Sequence, residues 1–396
     1  MVGYYLFVFS AFLLLLAVFF HDTSILTVVY LLIGVFIISR WWRDRILAGL
    51  EFHRRLDRRA MLGETVRIRL EVINRSWLPI PWIRIHESLP VELAVPNFHR
   101  QAVGLAPRGR TVCEYTLQGH KRGYYRIGPL YVQSGDLFGM EESRQRQAPS
   151  DNLTIYPKIV PIRRLPLPSF SPMGALRFHQ PLYEDPSRVV GKRDYQSGDS
   201  LRRIDWKASA VAGKLQVRQF EPAISVEVSI FLNLSAQDYE PRSRIDAAEL
   251  AIVTAASLAF YVGGKHQPVG LETNGMDLLE PEQARHSIPV RRGNAQLMLL
   301  LEKLARLQLT DGTAFAELLR EREPALSWGT TLLVITGMPE AALFDELLRA
   351  RQSGLPSIVF LTAPVLRFES FENRAHSLGI PLYEIRSEHD LERMFL

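Results

Sequence analysis

The chain of 396 residues contains one cysteine, Cys113, so an intrachain disulfide is excluded. That agrees with a reducing compartment. Cys113 sits in a strand-like stretch and reads as a small core residue rather than a nucleophile. None of the ten histidines is paired at a spacing such as H-E-x-x-H, and no G-x-S-x-G elbow occurs. Gly263-Gly264-Lys265 lacks the spacing and the hydroxyl residue of a phosphate loop. These absences argue against zincin-type hydrolases, α/β-hydrolases and P-loop nucleotide hydrolases. No cofactor is implied. Charge of either sign is in modest excess at most, with 47 Lys and Arg against 42 Asp and Glu, a formal +5. The placement of the arginines therefore decides what the basic excess means. Hydrophobic residues make up 47%, enough to build cores, and the length suits an anchor plus two or three globular units.

Charge is absent altogether from Tyr4 to Phe20, where Ser10 is the one polar interruption. His21-Asp22-Thr23-Ser24 follows, and then a second apolar run from Ile25 to Ser39. A bilayer core of ~30 Å asks for ~20 apolar residues per helix, and each run approaches that with its flanking aromatics. No basic segment precedes Tyr4 and no small-residue cleavage pattern follows it, so a transmembrane helical hairpin over residues 1–42 is expected rather than a signal peptide. Arg40, Arg43, Arg45, Arg54, Arg55, Arg58 and Arg59 crowd after the second run, while the short loop carries no Lys or Arg. The positive-inside rule predicts both termini in the cytoplasm. Trp41 and Trp42 suit the interfacial belt. The same arginines account for much of the basic excess, so no nucleic-acid partner is expected and membrane lipid is.

From Gly63 the period changes to two. Thr65 to Val72 alternates polar and apolar, Asn74-Arg75-Ser76 reads as a turn, and further short runs follow at Trp82–Ile85, Thr111–Tyr115 and Tyr124–Leu130. Prolines at 79, 81, 90, 96, 107 and 129 punctuate them. A small all-β sandwich is expected over residues 60–150. Lys121 to Pro129 is basic and aromatic, but one isolated stretch of this kind reads better as a half-exposed strand than as a nucleic-acid platform. Seven prolines between 157 and 186 mark a connector, assigned to residues 151–190.

Residues 191–222 are the most informative. Asp199 or Ser200 is a credible helix cap, Leu201, Ile204, Ala208 and Val211 repeat at helical spacing, and Gly213 supplies a stop. Leu215 to Phe220 then alternates as a strand. Three readings are open: a charged docking surface formed by Gly198, Asp199, Arg202, Arg203, Asp205, Trp206 and Lys207; a structural clasp of Asp–Arg pairs around a buried Trp206; or a hydrolase using Asp199 and Asp205 as an acid–base pair. Proximity in sequence is a weak catalytic signal.

The run G-D-x-x-R-x-I-D-W-K-A-S-A at 198–210, followed by L-x-V-R-x-F-E at 215–221, resembles the signature of the bacterial domain-of-unknown-function family fifty-eight. The stretches R-G-x-Y-x-x-G-P at 122–129 and S-G-D-x-F-G at 134–139, and the apolar hairpin, are similar to it too. Val211 stands where that family usually has a basic residue. The resemblance implies a bacterial inner-membrane protein with a von Willebrand A-like domain. It also implies a role beside a MoxR-type AAA+ ATPase, and often a transglutaminase-like membrane protein, with no established reaction. A non-enzymatic scaffold or adaptor is the expectation.

Residues 223–396 alternate apolar strand-like runs with helix-length segments, which implies a mostly parallel α/β sheet covered on both faces. The von Willebrand A resemblance would place a metal site after the first strand. There the chain reads Asn233-Leu234-Ser235-Ala236-Gln237, with Asn for the first acid and Gln for the second Ser. Thr313 resembles that fold's threonine ligand, and Thr336-Gly337 stands where an aspartate is expected. Hard divalent cations prefer carboxylates, so a degenerate site without a metal is expected, with Asp238 or Asp311 the residues able to compensate. A metal-dependent adhesion module is the alternative.

Overall fold

The computed structural model describes residues 2–20, 23–94, 101–134, 144–165, 184–197, 199–222, 227–312, 314–363 and 368–393. The chain divides into two compact units. The first comprises residues 1–158 with 301–307, the second 159–300 with 308–396.

The first unit opens with the helices Val2–Phe20 and Thr23–Ala48. The second helix runs past Trp42 to Ala48 and passes almost directly into the strand Leu50–Leu56. Its last turns belong to the globular core: Ile46 is buried, and Trp42 packs on that core and donates from Nε1 to the Pro79 carbonyl at 3.2 Å. Trp42 is thus tied to protein, and only Trp41 is exposed as an interfacial residue would be. Among the described residues, the one helix long and apolar enough to cross a membrane is Arg244–Gly264, of which 72% is buried, as in the core helix of an α/β domain. Thr23–Ser39 is a shorter apolar helical stretch.

Two four-stranded sheets follow. One has the order Leu50–Leu56, Thr65–Asn74, Arg110–Gly119, Leu93–Ala94; the other Arg144–Ala148, Leu130–Ser134, Ile80–Glu87, Gln101–Leu105. The period-two pattern works as expected: Val66, Ile68, Leu70 and Val72 turn inward while Arg67, Arg69 and the other alternates face out. Their inward residues meet Ile83, Ile85, Leu130 and Val132 of the second sheet in one core, with Cys113 buried among them. A third sheet joins Arg59–Met61, Asp151–Tyr156 and Gly123–Ile127. Asp151–Tyr156, which the proline pattern assigns to a connector, is therefore a strand of this unit. In the basic, aromatic stretch, Tyr125 is buried and its hydroxyl donates to the Lys121 carbonyl at 2.8 Å, the inward packing expected of a structural strand.

In the second unit, residues 159–165 lie on the core helix Arg244–Gly264. The N–H of Val160 donates to Ser257 Oγ and that of Leu165 to the Tyr261 hydroxyl, each at 2.9 Å. The main sheet has six strands in the order His286–Arg291, Val269–Thr273, Val228–Leu232, Thr331–Thr336, Ser357–Leu361, Leu382–Glu384. Numbered along the chain, that is three-two-one-four-five-six. All neighbours are parallel except His286–Arg291, which is antiparallel to Val269–Thr273. The central strands are buried end to end, as a sheet covered on both faces requires. Phe231, Leu332, Val334 and Val359 pack with Phe315, Leu319, Leu343 and Leu347 of two helices on one face. Strand alternation turns Ile230, Leu333 and Ile335 to the other, and Arg244–Gly264 contacts these same strands.

Candidate functional site

Two places concentrate polar chemistry. The first is the segment 191–222. The strands Glu184–Asp194 and Gln216–Pro222 pair antiparallel, with Arg193 opposite Val217 and Asp194 opposite Gln216. The insert between them is not one helix. A 3-10 turn, Leu201–Arg203, is followed by extended Ile204, and the helix proper is Trp206–Ala212. The expected cap at Asp199 or Ser200 is therefore corrected to Asp205. Its carboxylate accepts from the Ala208 N–H at 3.1 Å, and Ser200 makes no side-chain cap bond. The reason is a pairing distant in sequence: buried Ile204 bridges Val217, and the Asp205 N–H donates to the Gln216 carbonyl at 2.8 Å, which interrupts the helical path. Gly213 does end the helix, in the left-handed region at φ 68°.

Both aspartates are engaged. Arg193 donates to the two carboxylate oxygens of Asp199, each at 2.7 Å, and the Gln196 N–H adds a third bond at 2.9 Å. The guanidinium and this amide hold the Asp199 carboxyl at about 2. Asp205 accepts from Ala208 and lies 3.0 Å from Lys192 Nζ and 3.5 Å from Arg218 Nε; the cap bond first, then Lys192, lower its pKa. Arg202, Arg203, Trp206 and Lys207 are exposed. Trp206 is 68% accessible, which corrects the expectation of a buried tryptophan in the clasp; Leu201 and Val211 are exposed as well, so the helical-spacing apolar residues are not a core stripe. Gly198 lies outside the described residues.

The second place is the carboxyl edge of the six-stranded sheet. Chain order reverses between Val228–Leu232 and Thr331–Thr336, the switch point where open α/β sheets form crevices. Asn233, just past the first strand, is buried and makes a closed set of bonds. Its Nδ2 donates to Asp238 Oδ2 at 2.7 Å and to Thr336 Oγ1 at 2.9 Å. Its Oδ1 accepts from the Ser235 N–H and from Asn274 Nδ2, both at 3.0 Å. The Tyr239 hydroxyl donates to the Asn233 carbonyl at 2.6 Å. Burial raises the Asp238 pKa, with the Asn233 amide opposing. Gly337 is needed for close approach: a Cβ there would collide with the Asp238 carbonyl oxygen and the Tyr239 ring. Asn233 and Ser235 are thus brought together with Asp238 and Thr336. Gln237 is exposed on the 3-10 turn Ala236–Asp238 and takes no part in these bonds; Asp311 is exposed too. Thr313 lies outside the described residues. No local sequence pattern ties Asn274 or Tyr239 to Asn233; their bonds to it arise from the tertiary fold.

Residues 191–336 match the family model described as "Protein of unknown function DUF58". The DUF58 match runs from Gly191, within the first hairpin strand, to Thr336, the last residue of the fourth sheet strand, so it takes in the segment from Gly191 on and Asn233 with Asp238 and Thr336. A relative, the uncharacterized protein YeaD of Bacillus subtilis (strain 168), is 24% identical over 267 residues, covering 65% of this chain. The chain spans 63% of that relative's length. Among solved structures, the CARDB domain of the PF1109 protein from Pyrococcus furiosus aligns with 27% of this chain and 91% of its own, at 11% identity and TM-score 0.21. Salmonella alpha-2-macroglobulin reacted with methylamine aligns with 30% of this chain and 8% of its own, at 17% identity and TM-score 0.24. Likenesses at such TM-scores carry no argument about this chain.

Proposed function

We propose that this chain is a non-enzymatic, membrane-anchored docking protein whose exposed face at Leu201–Val211 binds a partner protein. One observation carries the reading. Asp199 and Asp205 are engaged in bonds within the segment, while Arg202, Arg203, Trp206 and Lys207 are exposed. A rigid base with an aromatic and cations on its surface is how a docking epitope is built. A carboxyl held at about 2, as Asp199 is, makes a poor acid–base catalyst near neutral pH, so the hydrolase alternative draws no support from this site.

Anchoring rests on the N-terminal helices. Val2–Phe20 carries no charged residue over its 19 residues, and Phe9, Phe12, Leu15, Phe19, Tyr30 and Ile37 expose large apolar surfaces. Arg40, Arg43 and Arg45, which directly follow the second apolar run, support a cytoplasmic globular part, and the signature resemblance supports a bacterial inner membrane. The order of the six-stranded sheet and its carboxyl-edge cluster support a von Willebrand A-like domain whose cation position is taken by Asn233. The partner class we assign is a MoxR-type AAA+ ATPase, on the resemblance of the signature segment.

The test is co-purification. Solubilised in detergent, the wild-type chain is expected to retain the co-expressed ATPase, and Arg202→Ala and Trp206→Ala to lose most of it while staying in the membrane fraction. Equal recovery with both variants would overturn the assigned surface. A reporter fused after residue 396 and found on the extracytoplasmic side would overturn the partner class.

A further inference from the structure

A second polar cluster in the α/β unit belongs to neither place described above. Past the second sheet strand, Val269–Thr273, the chain turns back to form the antiparallel edge strand His286–Arg291. The turn starts at Asp277: its Oδ1 accepts from the Leu279 N–H at 3.0 Å, and the Glu280 N–H donates to its carbonyl at 3.1 Å. His286, first residue of the edge strand and opposite Thr273, closes the group, with Nδ1 3.5 Å from Glu280 Oε2. One ligand atom from each of the three residues lies within 4.8 Å of the other two.

We propose that Asp277, Glu280 and His286 form a binding site for a divalent transition-metal cation, of which zinc is the type. The donor set argues for the metal class. One imidazole nitrogen and two carboxylate oxygens are ligands that zinc accepts, with affinity set by the Irving–Williams order, whereas magnesium and calcium prefer all-oxygen sites. The placement favours a held ion over diffuse surface charge: Asp277 is fully inaccessible and His286 nearly so, and each offers a ligand atom within 4.8 Å of one from Glu280. Glu280, with its side chain 47% exposed, leaves one flank open for the ion to enter and for water to complete the coordination. The site would tie the exposed bend at Leu278 and Leu279 to the edge strand. It is separate from the Asn233 cluster, although both lie at the same edge of the sheet, Asn274 being three residues before Asp277.

The experiment uses the metal-stripped full chain in detergent, titrated with zinc chloride by calorimetry and with cobalt(II) by visible absorption. Wild type is expected to bind one zinc ion and to give cobalt d–d bands of a four- or five-coordinate site. Glu280→Gln, a substitution at an exposed ligand that leaves the core untouched, is expected to weaken zinc by at least about tenfold. His286→Gln is expected to abolish the cobalt bands. No saturable zinc uptake by the wild type overturns the proposal, as does uptake of equal affinity in Glu280→Gln, which would mean adventitious binding elsewhere. Should His286→Gln not fold, the Glu280→Gln comparison alone decides between the two results.

Discussion

Arg193 and Asp199, six residues apart, meet in a two-pronged ion pair with both bonds at 2.7 Å. The pair closes the turn that leads from the first hairpin strand into the docking segment. Its pH dependence has a definite sign. The folded pKa of Asp199, about 2, lies below the ordinary carboxylate value, so the contribution is complete above that ordinary value and is lost as pH falls toward 2. Amide-exchange protection at Tyr195 and Asp205, whose N–H groups cross the hairpin, should then hold steady near neutrality and fall between about pH 4 and about pH 2. Asp199→Asn should show weaker protection at neutral pH and no such acid step. Identical profiles for the two proteins would mean that the pair does not hold the hairpin.

The first unit contains a buried charge cluster that the arginine count concealed. Arg54 donates to Glu87 and to Asp151, the latter at 2.7 Å, and the Tyr115 hydroxyl donates to the other Glu87 oxygen. Burial raises the Glu87 pKa, with the Arg54 charge opposing. Arg54→Met strands a buried carboxylate, and a cost of about 3–5 kcal/mol is expected at neutral pH. Since Glu87 then takes up a proton more readily, the deficit should shrink as pH falls through its raised pKa. Chemical denaturation followed at about pH 7 and about pH 5 checks both parts. A deficit that grew on acidification would contradict this account.

Residues 159–165 are held to the core helix by side-chain acceptors rather than by sheet pairing. Tyr261→Phe removes the acceptor of the Leu165 N–H and leaves that buried donor unsatisfied, at about 1–3 kcal/mol. The neighbouring Arg163 and Arg164 are exposed, so trypsin reports local release directly. Faster cleavage there in Tyr261→Phe, with the remaining peptide map unchanged, is the expected result; an unchanged rate would show that the Val160–Ser257 bond suffices.

How much of this was legible beforehand follows from the range of the interactions. Thr65–Asn74 was readable because its burial alternates residue by residue, and Thr331–Thr336 because an apolar run between turns has few other uses. His286–Arg291 escaped because Pro289 and polar alternates disguise it, and it is indeed an edge strand, the place where a proline is tolerated. The cap went to the wrong aspartate because Asp199 and Asp205 look alike locally; the choice between them is made by Ile204 pairing with Val217. Arg54 looked like a juxtamembrane charge because Glu87, Tyr115 and Asp151 lie far along the chain. The replacement of an acid by Asn233 was visible, but the role of its amide needed Asp238 and Thr336 in place.

That role leads to the most discriminating substitution. In the wild type, Asn233 Nδ2 donates both to the Asp238 carboxylate and to the Thr336 hydroxyl oxygen. Asn233→Asp removes both donors and sets a second carboxylate beside Asp238, whose charged form burial already disfavours. The variant is expected to be less stable than wild type at neutral pH. It should recover on acidification, as one of the two carboxyls takes a proton, and in magnesium, which supplies the missing positive charge to oxygen ligands. Thermal unfolding of both proteins with and without magnesium chloride tests this. A midpoint that rises with magnesium in Asn233→Asp and not in wild type means that the amide occupies a cation's place. Equal response of the two proteins would mean that the cluster is a structural hydrogen-bond network with no cation position in it.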